Sequence, residues 1–248
     1  LRKSKTQGFV VSLSGGADSS SVAGLVSIMV AFALSELGAN GVQERLAHIA
    51  FNLTQTNLPA VRLEFVRHLL TCVYQRTENN SEATREAAGS LAQELGAIYH
   101  ELAIDPLIAQ YRSIVEQALG RTLSWGSDDL ALQNLQARVR SPGVWLIANV
   151  KKALLLTTSN RSEAAVGYTT MDGDTSGGLN PIGGIDKAYL LRWLQWLADT
   201  GPTEHGPIVA LKRVLAQPPT AELRPLSQHQ TDEADLMPYE ILDQIERL

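Results

Sequence analysis

A buried strand that runs into a glycine turn and then into a helix constrains this chain more than any other feature. Gly8 to Leu13 reads Gly-Phe-Val-Val-Ser-Leu, short, apolar and β-branched, as a strand covered on both faces should be. Ser14-Gly15-Gly16-Ala17-Asp18-Ser19 follows it. Val22, Leu25, Val26, Met29, Val30 and Ala33 then recur at helical spacing up to Gly38, a natural helix stop. Open parallel sheets bind ligands beyond the carboxyl ends of their strands, so this turn is a favoured place for a site. Gly15 and Gly16 allow a sharp turn and a close backbone approach, while the helix directs unpaired N–H groups and partial positive charge at the same spot. That combination is an anion nest. Neither Gly-x₄-Gly-Lys-Ser/Thr nor Gly-x-Gly-x-x-Gly opens this helix, which excludes the Walker loop and the dinucleotide fingerprint. Taken alone, the hexapeptide also admits a glycine turn capped by Ser14 or Asp18 without any ligand.

The rest of the chain repeats the alternation. Leu69 to Tyr74 predicts a second strand, and the polar turn Arg76 to Ser81 can cap a helix from Glu82 to Leu95, ended by Gly96. Ile98 to Ile104 predicts a third strand, with a helix starting near Asp105-Pro106 and another from about Asp129 towards Asn149. Ala153 to Thr158 gives a fourth strand, and further helices are expected at Asp186–Ala198, near Ile208–Leu215 and at Met237–Glu246. Gly167 to Gly184, rich in glycine and small polar residues, reads as a long functional loop. Asn40 to Pro59 has no clear period and reads as an excursion with some short helix. Strands alternating with helices imply an α/β fold, a parallel sheet flanked by helices.

Composition narrows the function. With 248 residues, 44% of them apolar, the chain can fill the core of one large domain or two small ones. Lys+Arg 21 against Asp+Glu 26 argues against a broad basic face for nucleic acid. Cys72, the only cysteine, allows no intrachain disulfide, and its neighbours Leu69, Leu70 and Val73 mark it as a buried structural thiol. No histidine pair has metal spacing, so no zinc site is expected. No run reaches the roughly 18 uninterrupted apolar residues of a membrane span, and the N-terminal residues lead into a strand rather than a signal-peptide core. A cytoplasmic location without membrane attachment is expected. The first residue is Leu, so the chain is read as a portion of a longer polypeptide.

Ser-Gly-Gly-x-Asp-Ser after a buried strand resembles the pyrophosphate-binding loop of the N-type ATP pyrophosphatases, which implies an adenine nucleotide alpha-hydrolase-like, Rossmann-like fold. Further blocks, in order across nearly the whole chain, resemble the NAD⁺ synthetases. Thr77-Glu78-Asn79-Asn80-Ser81 with Thr84-Arg85 is similar to a turn of the larger, glutamine-dependent members. Asn134-Leu135-Gln136-Ala137-Arg138 resembles the family segment that helps hold the nicotinic acid dinucleotide. Thr158 to Tyr168 is similar to the strand-end block whose Glu is a magnesium ligand, here Glu163. Asn180 to Lys187 resembles the segment whose Lys contacts the ATP phosphates, and Pro219 to Pro225 with Gln230 to Glu233 resembles the C-terminal block that places Thr220 near metal and phosphates.

The resemblance implies a ligase that takes deamido-NAD to NAD⁺ while ATP is cleaved to AMP and pyrophosphate, through an acyl adenylate attacked by ammonia. It implies Ser14, Gly15, Gly16, Asp18, Ser19, Thr158, Lys187 and Thr220 at ATP and pyrophosphate, and Asn134, Arg138 and Asp174 at deamido-NAD. Asp18 and Glu163 would hold Mg²⁺, and Asp18, Glu163 and Lys187 are the candidate catalytic residues. The synthetase domain would span 1–248, with the N-terminal glutaminase domain of the larger class absent from this chain, and the family implies homodimers. Met171-Asp172-Gly173-Asp174 departs from the Lys-Tyr-Gly-Asp often found in shorter members, which leaves a lysine missing beside Asp174.

The residues themselves are compatible with these roles. Asn134 and Arg138 are four apart and project from one helix face, where they can share one ligand, with a surface salt bridge as the lesser alternative for Arg138. Carboxylates at Asp18 and Glu163 either repel or share a cation, and Lys187 can supply the positive charge that the turn lacks. Another N-type pyrophosphatase amidating a different substrate, or a nucleotide-binding module without catalysis, remains open at this level.

Overall fold

Four parallel strands, β1 (Phe9–Ser12), β2 (Leu70–Arg76), β3 (Ile98–Ala103) and β4 (Leu154–Leu156), form one sheet in the order β3-β2-β1-β4. They are seen in a computed structural model that describes residues 1–228 and 230–246. Ten helices are described: α1 (Ala17–Arg45), α2 (Leu58–Leu69), α3 (Glu82–Leu95), α4 (Asp105–Leu119), α5 (Asp129–Val150), α6 (Arg161–Val166), α7 (Lys187–Asp199), α8 (Leu211–Leu215), α9 (Asp232–Asp235) and α10 (Tyr239–Ile245). Val10 pairs with Thr71 on one side and Leu155 on the other, so β1, like β2, has neighbours on both edges.

Alternation along the strands separates two cores. Phe9, Val11, Leu70, Cys72 and Tyr74 face a large cluster with Val22, Val26, Phe65, Leu91 and Leu194 from α1, α2, α3 and α7. Val10, Val73 and Leu155 face the opposite way, onto Val144 and Ala148 of α5. Both faces are thereby covered, which is why β1 and β4 are apolar at nearly every position, whereas β3 at the sheet edge carries exposed His100 and Glu101. Cys72 is fully buried, and burial pushes its thiol up to about 12, as the sequence reading of a structural thiol required.

The helices depart from expectation at several places, α6 and α9 being short helices that the sequence reading did not place. The first does not stop at Gly38: the chain breaks there, at φ 66° and ψ 171°, and resumes as helix to Arg45. Its length and apolar content equal those of a membrane span, but Val22, Val26, Val30 and Leu34 lie in the core. Helix α2 begins inside the stretch read as an excursion. Its start is written in Asn57-Leu58-Pro59, where the Asn57 side chain accepts from Ala60 N at 3.0 Å and Pro occupies the first turn. The last helix starts at Tyr239 rather than Met237, directly after Pro238. The loop 167–186 stays irregular, apart from one bridge between Leu179 and Leu156 that extends the sheet edge.

Candidate active site

The chain builds β1, β2 and β3 outward in one direction and then returns to place β4 on the other side of β1. Strand order reverses between β1 and β4, and loops leaving the carboxyl ends of two such strands splay apart to open a crevice. A cleft of about 340 Å³ lies there, lined by Ser14, Asp18, Thr158, Glu163, Lys187 and Thr220 among others.

The turn after β1 owes its shape to Gly15. Its φ is +85°, and a Cβ there would stand 2.1 Å from the Thr84 carbonyl oxygen in the first turn of α3. Ser14 N donates to Ser19 Oγ at 3.1 Å, and the two serine hydroxyls meet at 3.0 Å, closing the loop on itself. No side chain caps α1, whose N-cap residue is Gly16. Of the two capping residues that the sequence offered, Ser14 does cap the turn, its Oγ accepting from Gly16 N at 3.3 Å, while Asp18 does not; the N–H groups of Ala17, Asp18 and Ser19 are left for a ligand.

Lys187 lies at the centre of the cleft's charge. Its ammonium is 2.5 Å from Asp18 Oδ2 and 3.0 Å from Glu163 Oε1, with the Tyr239 ring centroid 5.4 Å away. The residue is only 2% exposed. Burial works to lower its pKa, but Asp18 and Glu163 together outweigh burial and hold it well above the ordinary lysine value. Burial and the neighbouring Asp18 push Glu163 up to about 8, against the pull of Lys187. Asp232 also lines the cleft; burial raises its pKa, and Tyr239 donates to its Oδ2 at 3.1 Å.

Two residues that the sequence reading did not single out position this group. Asn160 caps α6 by accepting from Glu163 N at 2.9 Å, and its Nδ2 donates to Asp18 Oδ1 at 2.8 Å. One amide thus joins the loop after β4 to the loop after β1. Asp243, from α10, accepts from Ala188 N at 2.9 Å and from the Ser162 hydroxyl at 2.5 Å, and Ser162 Oγ in turn accepts from Lys187 N at 2.9 Å. A buried carboxylate at the start of α7 suits the positive end of that helix and holds Lys187 in place. The local signal for Asn160 was its position ahead of a helix; Asp243 had no local signal.

The other expected residues divide. Asn134, Thr158, Asp174 and Thr220 line the same cleft as the turn. Thr220 donates to the Gln230 carbonyl at 2.8 Å, and burial raises the Asp174 pKa while Thr170 N donates to its Oδ1 at 2.8 Å. Arg138 is exposed and is not among the lining residues; its Nε donates to the Met171 carbonyl at 3.1 Å. Asn134 accepts from Thr170 Oγ1 at 3.3 Å, so the shared helix face grips the 170–171 loop. Arg140, two residues on, does line the cleft. Glu222 accepts from Asn80 Nδ2 at 2.9 Å and from Ser81 N at 3.1 Å, tying the turn after β2 to the block that contains Thr220.

Asp18 and Glu163 suit a hard divalent cation, and the Lys187 ammonium between them already stands where such a cation would. Among the described residues no cluster of three or more His, Cys, Asp or Glu side chains could hold a metal, so further oxygens would have to come from a bound phosphate or from water.

Known proteins resemble this chain along its whole length. The family model described as NAD synthase matches residues 1–248. A glutamine-dependent NAD(+) synthetase from Oryza sativa subsp. indica is 35% identical over 268 residues, covering 100% of this chain and 36% of the relative. One from Aquifex aeolicus (strain VF5) is 33% identical, covering 99% of this chain and 35% of that protein. The crystal structure of a glutamine-dependent NAD(+) synthetase from Cytophaga hutchinsonii superimposes with a TM-score of 0.83 at 39% identity, covering 99% of this chain and 39% of that one. The chain thus spans just over a third of the length of these relatives. A match over every residue and a superimposing parallel sheet together show that the chain belongs to the NAD synthase family.

Proposed function

We propose that this chain is the synthetase portion of a glutamine-dependent NAD⁺ synthetase, amidating the nicotinate carboxylate of deamido-NAD at the expense of ATP. One observation carries the proposal: the glycine turn, Asp18, Glu163, Lys187, Thr158 and Thr220 converge on a single cleft from separate parts of the chain.

The chemistry asks for placement rather than for a nucleophilic side chain. A carboxylate oxygen of deamido-NAD attacks the α-phosphorus of ATP, and the bond to pyrophosphate breaks. Ammonia then attacks the acyl carbon, AMP leaves, and the surplus proton passes to solvent. Ser14, Gly15, Gly16 and Ser19, with the start of α1, receive the pyrophosphate through N–H and hydroxyl groups. Lys187 neutralises phosphate charge at its own ammonium, and Thr158 and Thr220 flank the nucleotide. Asn134, Asp174 and Arg138 are assigned to the dinucleotide. Mg²⁺, held by Asp18 and Glu163, would supply neutralisation of phosphate charge when bound.

Ammonia would come from a glutaminase domain elsewhere in the full-length protein, since the relatives are nearly three times as long. A homodimer in the cytoplasm belongs to the same proposal. The test supplies the chain with deamido-NAD, ATP and Mg²⁺, together with either ammonium or glutamine. NAD⁺ and AMP formed in equal amounts with ammonium are expected. Equal yields from glutamine would end the idea that the glutaminase lies outside this chain, and no AMP under either condition would end the assignment.

A further inference from the structure

The Lys187 ammonium does more in this geometry than wait for phosphates. It touches Asp18 Oδ2 and Glu163 Oε1 together, at 2.5 and 3.0 Å, as a cation bridging the two carboxylates would. The other oxygen of Asp18 is taken by the Asn160 amide at 2.8 Å. Three of the four carboxylate oxygens of the pair are therefore engaged already, which leaves a divalent cation short of its ordinary share. A dication inserted between them would also meet the ammonium within a few ångströms, in a setting too buried for water to screen the repulsion. Lys187 cannot relieve this by swinging into solvent, because its side chain is packed under Tyr239 and the start of α7 is tied to Asp243 and Ser162. The direction open to it is the cleft, which it lines. Phosphate oxygens placed there by the glycine turn and the start of α1 would give the ammonium a new anion.

We infer that Lys187 is a resident counter-ion that occupies the divalent cation site of the free protein and leaves it only when nucleotide phosphates arrive. Cation and nucleotide then bind as a unit: each phosphate contact made by Lys187 frees carboxylate oxygens, and the freed oxygens take the cation. This ordering rests on the reading of Asp18 and Glu163 as cation ligands. It adds that the same two groups are neutralised by Lys187 before substrate binds, which keeps the buried Glu163 and the partly buried Asp18 from repelling each other in the empty protein.

The test titrates the chain with Mn²⁺ alone, followed by electron paramagnetic resonance, and repeats the titration with a non-hydrolysable ATP analogue. In the unsubstituted chain the analogue should tighten Mn²⁺ binding by roughly tenfold or more. Lys187→Met should bind Mn²⁺ roughly tenfold more tightly than the unsubstituted chain without nucleotide, and should lose most of the analogue's effect. Lys187→Arg, still cationic, should stay weak. Asp18→Asn should abolish the gain in the Lys187→Met background. Mn²⁺ binding to Lys187→Met that is no tighter than to the unsubstituted chain overturns the inference. If Lys187→Met does not fold, equal Mn²⁺ affinity with and without analogue in the unsubstituted chain overturns it. Should Asp18→Asn leave Mn²⁺ binding intact with the analogue present, it is the assignment of the cation ligands that fails.

Discussion

Asn160 holds Asp18 from the far side of the strand-order reversal, its Nδ2 donating to Asp18 Oδ1 at 2.8 Å across 142 residues of sequence. The same side chain accepts from Glu163 N at 2.9 Å, so one buried amide sets the spacing of both carboxylates. Asn160→Ala should cost about 1 kcal/mol as a lost cap and lower turnover roughly tenfold to a hundredfold as Asp18 is released. Asn160→Asp keeps the cap acceptor but faces Asp18 with a like charge at a fully buried position, so it should lose turnover and stability together. Pyrophosphate release and thermal melting measure the two effects; full activity in Asn160→Asp would remove Asn160 from this role.

Asp243 makes its contribution through Lys187. Removing it leaves Ala188 N and the Ser162 hydroxyl without their buried acceptor. Asp243→Ala should destabilise the chain by about 2 to 3 kcal/mol and raise the KM for ATP. Urea unfolding with ATP-dependent kinetics checks this, and a destabilised variant with an unchanged KM would show that Asp243 supports the fold alone.

The two glycines of the turn should differ. Gly15→Ala places Cβ 2.1 Å from the Thr84 carbonyl oxygen at a φ of +85°, whereas at Gly16 the nearest atom is Ser14 Oγ at 3.4 Å and φ is −84°. Gly15→Ala should lose at least about 2 kcal/mol of stability, and Gly16→Ala less than about 1 kcal/mol. Equal unfolding midpoints for the pair would contradict the geometry. Nucleotide binding by Gly16→Ala then reports on the anion nest separately from folding.

Arg138 and Arg140 separate exposure from burial. Arg138 is exposed and holds only the Met171 carbonyl, so Arg138→Ala should leave the melting temperature nearly unchanged. If its fork meets the dinucleotide as proposed, the KM for deamido-NAD rises roughly tenfold while that for ATP does not. Arg140 lines the cleft, and burial lowers its pKa; Arg140→Ala should disturb both stability and binding. An Arg138→Ala enzyme with an unaltered KM for deamido-NAD would withdraw that residue from the site.

His205 makes stability depend on pH. Ser27 Oγ lies 2.8 Å from its Nε2, and its Nδ1 donates to the Gly206 carbonyl at 3.0 Å, so the half-buried ring is held at both nitrogens. Burial lowers its pKa in the folded state. Below about pH 6.5 the unfolded chain therefore takes up the proton more readily than the folded one. This contribution is fully present above that pH and is lost as the pH falls through the lowered folded value. Urea midpoints at pH 7.5 and pH 5 should show the decline, and His205→Gln should lack this part of it.

The sequence by itself determined the alternation of elements and the turn after the first strand. Phe9 to Ser12 pairs apolar residues for two covered faces, and Gly15 stands where a side chain would meet the Thr84 carbonyl, so local patterning and backbone freedom were enough. The start of α2 was equally local, in Asn57 and Pro59, but lay in a segment with weak periodicity. The tertiary structure alone decided that Lys187 sits between Asp18 and Glu163, that Asn160 and Asp243 hold them, and that Arg138 faces the 170–171 loop instead of lining the cleft with Asn134. These contacts follow from β4 lying beside β1 and from α10 packing against α7, and single polar residues carry no periodic signature of which strand or helix becomes their neighbour.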